Sequence, residues 1–191
     1  IKEQKTEQTN LSLGVRAYSY RHQDFPALKL LGIILGASMS SRLFIAVRER
    51  RGLAYQVHTN VEGYNDSGYL TTNIGTATDR VAATVQVVLR EYRRITKELI
   101  SPAELTKAKD YFKGKIALQL ELSENMASWF SRQAVLGRPL LTPQEHIKEI
   151  MGVSRVDIKR VSRQIFQNNG LNLAVIGYRI DINKLKSILK I

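Results

Sequence analysis

Cysteine is absent from the 191 residues. Disulfides, thiolate metal sites and cysteine nucleophiles are excluded with it. The compartment is not fixed, because cytoplasmic and periplasmic proteins alike can lack cysteine. Proline (4) and glycine (12) are sparse and no stretch is low in complexity, which argues against long disorder. No apolar run approaches the ~20 residues of a membrane span; the longest, Ala27 to Ala37, is broken by Lys29 and two glycines. The opening Ile1-Lys2-Glu3-Gln4-Lys5 has neither a signal peptide's apolar stretch nor an initiator Met. The chain therefore reads as a fragment or processed product of a longer one.

What is present suits one domain with a sizeable core over residues 1–191. The net charge is +12, from 29 Lys+Arg against 17 Asp+Glu. Such a balance fits nucleic acid, an anionic membrane or an acidic partner. The basic residues, however, are scattered through every segment, so a solvated basic surface is the preferred reading. Neither nucleic acid nor a membrane is expected as a partner.

Helix starts are well marked. Ser101-Pro102-Ala103-Glu104 and Thr142-Pro143-Gln144-Glu145 each place a hydroxyl cap before a Pro, with Glu three residues after the cap; Ser154 to Asp157 is a weaker version. Val81, Val85, Val88, Tyr92, Ile95 and Leu99 recur at helical spacing, as do Leu105, Ala108, Phe112 and Ile116. Asp24 and Pro26 open an apolar helix through Leu35, and Met126 to Leu136 lie in another. Strand alternation runs through Leu11 to Ala17 and through Tyr55, Val57, Thr59 and Val61, which places Tyr55 on the apolar face. Gly63 to Gly68 turn that strand into a hairpin with Leu70, Thr72 and Ile74, and Leu171 to Gly177 is a late strand. The expected fold is α+β: a mostly antiparallel sheet covered by helices on one face.

Chemistry of its own is hard to find. A catalytic zinc needs three protein ligands and an open position, and only His22, His58 and His146 exist. His146-Ile147-Lys148-Glu149-Ile150 is H-x-x-E-H with its last His replaced, so a solvated charged helix face is the better reading of that segment. No P-loop, dinucleotide fingerprint or G-x-S-x-G elbow occurs.

The informative segment runs from Leu35-Gly36-Ala37-Ser38-Met39-Ser40-Ser41-Arg42-Leu43-Phe44 through Arg48-Glu49-Arg50-Arg51-Gly52-Leu53-Ala54-Tyr55. Ser40 or Ser41 can cap a helix to about Arg51, and Gly52 can end it in a left-handed conformation. Arg50 and Arg51 then sit near the negative end of the helix dipole. This run closely resembles the second, non-catalytic domain of the pitrilysin/insulinase-type zinc peptidases, a group that includes mitochondrial processing peptidase. The helix start at Ile100 to Lys109 and the closing segment from Val153 to Gly177 resemble the same domain. Where that family often has a run of glycines, this chain has Gly36-Ala37-Ser38, which implies a stiffer loop.

The resemblance implies a mitochondrial-processing-peptidase-like metallohydrolase fold and a role as half of a clamshell that closes on an unfolded peptide. The zinc would belong to an H-x-x-E-H partner half, in the same or a separate chain, and this chain would hold no cofactor. Two positions match residues that the non-catalytic half lends to the shared site. Arg48 would bind a substrate backbone carbonyl, and Tyr55 would bind substrate and donate to the oxyanion formed when water attacks. Arg42 is read as structural. The peptide could also add as a strand to the hairpin from Tyr55 to Ile74, and an exposed clamshell face would let two copies pair as a homodimer. A scaffold subunit of the same fold without peptidase activity is the alternative; a basic nucleic-acid binder is a third reading, supported by charge alone.

Overall fold

The computed structural model describes all residues 1–191. Five strands form one sheet: β1 (Lys2–Glu3), β2 (Thr9–Ala17), β3 (Ala54–Gly63), β4 (Gly68–Thr76) and β5 (Leu171–Gly177), in the order β1-β5-β2-β4-β3. Every pairing is antiparallel except the short β1–β5 contact. The hairpin expected after Tyr55 is the β3–β4 pair, and β3 is a free edge of the sheet. The helices are α1 (Phe25–Gly36), a π-helix (Phe44–Glu49), α2 (Val81–Lys97), α3 (Pro102–Gln119), α4 (Ser123–Val135), α5 (Pro143–Gly152), α6 (Arg155–Ile165) and α7 (Ile182–Ile188). The α+β class read from the sequence is the one observed.

The caps work as their sequences suggest. Ser101, Thr142 and Ser154 each accept from the backbone N–H three residues on, and Glu104, Glu145 and Asp157 return the bond. Leu11, Leu13, Val15, Val57, Val61, Leu70 and Ile74 face the helices, in one buried cluster of 36 residues. The opposite face of the sheet is bare and polar. Asn10, Arg16, His58, Tyr69, Asn73 and Asn172 stand exposed on it, with Ser12, Asn60 and Thr71 half-buried between them.

The structure corrects several sequence readings, the Ser40 or Ser41 cap among them, which is described with the site. Leu99 lies beyond the end of α2 and is exposed, because Glu98 leaves the helix with an extended backbone. The segment around His146 is not a solvated face: His146 is 5% exposed, packed edge-on to Trp129 with ring centroids 5.1 Å apart. Burial, and then the charges of Arg138 and Lys29, push its pKa down to about 4, so the ring is neutral. Another concerns Tyr55 and is likewise described with the site.

Candidate functional site

The segment between α1 and β3 is built to hold its two ends still. Ser41 does not cap a following N–H; its hydroxyl donates back to the Ser38 carbonyl at 2.6 Å. Arg42 forks onto Glu104 of α3 at 2.7 and 2.9 Å, which ties the segment to the helical layer. The next residues wind as a π-helix, with Arg50 N–H bonding the Ile45 carbonyl five residues back. Gly52 takes a left-handed backbone, φ 56°, as expected of a helix-ending glycine. The short link after it is pinned: Arg80 donates to the Gly52 carbonyl at 2.6 Å, Thr76 to Leu53 O at 2.5 Å, and Leu53 N–H to Val47 O at 2.9 Å. Arg51 caps the Ala46 carbonyl at 2.7 Å, which uses one of the clustered arginines locally.

Arg48 sits in the last turn of the π-helix and is exposed. Its guanidinium lies 5.1 Å from the Phe44 ring centroid and takes part in no ion pair. The guanidinium face therefore rests against a ring while its N–H donors make no ion pair.

Tyr55 departs from the simple alternation. Ala54 pairs with Thr76 and Gln56 with Gly75, so Tyr55 is the extra residue of a β-bulge. Ala54 and Val57 are both buried, and the two residues between them both face out. The bulge moves Tyr55 off the apolar face and leaves it 65% exposed. Gly75, opposite Gln56, is a close-packed corner, where a Cβ would stand 3.0 Å from Gln8 Oε1 and 3.2 Å from Gln56 Cγ. Arg48 and Tyr55 thus flank one pinned turn, each on a rigid element, each with its polar end free.

No group of three or more His, Cys, Asp or Glu is placed to hold a metal ion. His58 is on the exposed sheet face, His22 stacks on Tyr18 with centroids 4.0 Å apart, and His146 is buried on α5. The residues present do not fit a zinc site.

A concavity, which the motifs did not point to, runs along the free edge of β3. It encloses about 420 Å³ between β3, α1 and α3. Lys29 lies in its floor, donating to the Val61 carbonyl at 3.3 Å. The signal was legible as the one charge inside the apolar run of α1.

The chain is an α+β domain: a five-stranded, mostly antiparallel sheet with one bare face and a helical layer on the other. Comparison with known proteins gives the family: residues 1–112 match the peptidase M16 inactive domain. The chain belongs to that family. It is 32% identical over 165 residues to the uncharacterized zinc protease YmxG of Bacillus subtilis, covering 86% of this chain and 40% of that protein. It is equally 32% identical over 177 residues to an uncharacterized zinc protease of Rickettsia bellii, covering 90% and 41%. The chain thus spans about two fifths of the length of these relatives. In fold it is similar to a peptidase M16 inactive domain from Pseudomonas fluorescens, with a TM-score of 0.84 at 20% identity over 94% of this chain and 43% of that one. A chain of complex III from Candida albicans superposes with a TM-score of 0.85 at 18% identity, covering 100% and 48%.

Proposed function

We propose that residues 1–191 form the substrate-binding, non-catalytic half of a zinc metallopeptidase that cleaves unfolded peptides. Zinc, held by a partner half in the same or a separate chain, supplies Lewis-acid activation of water and carbonyl. This chain contributes two donors to the composite site. The Arg48 guanidinium, always charged and rigidly forked, holds a backbone carbonyl of the peptide. The Tyr55 phenol, a neutral donor, bonds the oxyanion as it develops on the scissile carbonyl. Neither group gives up an ion pair or a side-chain hydrogen bond to do so. The observation that supports the reading is the bulge that turns Tyr55 outward at the start of β3, just after a segment that leaves Arg48 exposed and in no ion pair.

The test is peptide cleavage by the natural full-length product beside its Tyr55→Phe variant, with zinc content measured in both. Loss of one oxyanion donor is worth about 3 kcal/mol, or on the order of 10² in kcat. A variant that keeps its zinc and its KM but loses kcat supports the role. Equal cleavage makes the pair structural. A full-length product that binds no zinc and cleaves nothing transfers the chain to the scaffold reading.

A further inference from the structure

The groove along β3 has a chemistry of its own, independent of Arg48 and Tyr55. Its floor is α1, one wall is the free edge of β3 from His58 to Glu62, and the other wall is α3. The Val61 carbonyl points away from β4 into this space, where Lys29 takes it. An edge carbonyl met by an ammonium marks a strand that is not sealed by another strand.

Lys29 is only partly exposed, and it is in none of the ion pairs of the molecule. Its remaining support is the Phe25 ring, 5.3 Å from the ammonium. Burial lowers its pKa, Glu62 opposes the shift, and Arg132 and Lys115 add to it. An ammonium has three donors, and one backbone bond leaves two without a protein partner. The charges lining the groove are Lys29, Lys115, Arg132 and Glu62. Glu62 is already bound to Arg132 at 2.8 Å. The uncompensated charge is therefore positive and carried by Lys29 and Lys115, of which Lys29 is the one drawn in from solvent. Trp129 and Tyr111 supply apolar walls beside it.

We infer that this groove binds an extended acidic peptide segment laid along the β3 edge, with an aspartate or glutamate carboxylate of the segment on the Lys29 ammonium. Backbone bonds to the edge would give the segment its register, and the carboxylate would give the groove its selectivity. A carboxylate both accepts from the Lys29 ammonium and balances its charge, whereas a neutral amide accepts but leaves the charge uncompensated.

The experiment is fluorescence anisotropy of labelled, C-terminally amidated peptides on the 191-residue chain and its Lys29→Met variant. One peptide carries a central Glu flanked by Val and Leu; the other carries Gln in its place. Replacing either partner of one charge-assisted contact should weaken binding about tenfold or more. Changing both should weaken it no further than either alone, since the same contact is lost. The inference is overturned if the Gln peptide binds the unaltered chain as tightly, or if the variant holds the Glu peptide as tightly. It is equally overturned if the same peptides bind only when synthesised with a free C-terminal carboxylate, since the groove then reads a chain end, or if none binds at millimolar concentration. The peptide-side change needs no altered protein, so a poorly folded variant would not spoil the test.

Discussion

The Arg42–Glu104 fork should couple the functional turn to the helical layer strongly enough to measure. Arg42 is 12% exposed in its side chain and Glu104 33%, so the pair lies between the exposed and buried extremes. Exposed pairs are worth about 0–1 kcal/mol, and removing one partner of a buried pair costs about 3–5 kcal/mol. Two features pull the value down from the buried limit. One Arg42 nitrogen, Nη1, is buried without a partner. Glu104 keeps a second role in the capping box, where its carboxylate accepts from Ser101 N–H at 3.2 Å even when Arg42 is gone. A coupling energy of about 1–2 kcal/mol is expected, from a cycle of Arg42→Met, Glu104→Gln and the double variant in urea. At this chain length each kcal/mol moves Tm by roughly 2–4 °C. The pH dependence has a definite sign. The Arg42 bond is the largest cause holding the Glu104 carboxyl below its usual value. A depressed carboxyl stabilises fully above its unfolded pKa of about 4.3, and the contribution disappears as pH falls through the folded value. The gap between the parent chain and Glu104→Gln should therefore be largest at pH 6–7 and shrink below about pH 4. A coupling under about 0.3 kcal/mol at pH 7 would refute the reasoning.

Other outcomes follow from single observations. Arg48→Ala should leave the unfolding free energy in urea within about 0.5 kcal/mol of the parent chain, because an exposed side chain without an ion pair stabilises little. Gly36→Ala should destabilise by more than about 2 kcal/mol in urea, since the added Cβ would lie 2.7 Å from the Thr59 backbone nitrogen. Gly114→Ala, with open space around it in the middle of α3, should instead gain about 0.5–1 kcal/mol. The His146 ring signals should stay flat in NMR between pH 5.5 and 8, because its pKa is pushed down to about 4. The unfolded chain takes up that proton first, near pH 6.5, so stability should fall between there and pH 4 by at most about 3 kcal/mol.

Much of the architecture was legible because it rests on short-range chemistry. Capping boxes and helical or strand periodicity carry their signals within a few residues, and these elements stand where the sequence put them. The misses come from longer range or from irregularity. A bulge adds one residue to a period of two, and nothing local to Ala54-Tyr55-Gln56 announces it; it shows only in the register with β4. His146 looked solvated because its neighbours in sequence are Glu145 and Lys148, yet Phe112 and Trp129 from two other helices enclose it. The two-residue β1 is held by pairing with β5 from the other end of the chain, which no window could reveal. The motif carried Arg48 and Tyr55 to notice; the groove at Lys29 needed the fold.

The extra residue in β3 also acts as a phase break. On one side of it Ala54 points inward, and on the other Val57, Thr59 and Val61 do so on their own count. The rhythm of the core half of the strand is therefore insulated from what happens at its first two positions. A sequence that lost one residue between Ala54 and Val57 would keep every inward contact further along the strand, and would align with this one across a one-residue gap. It would, however, present one outward side chain at this corner where the present chain shows two. The length of that gap, rather than the identity of any core residue, tells whether a tyrosine and a glutamine can stand there side by side.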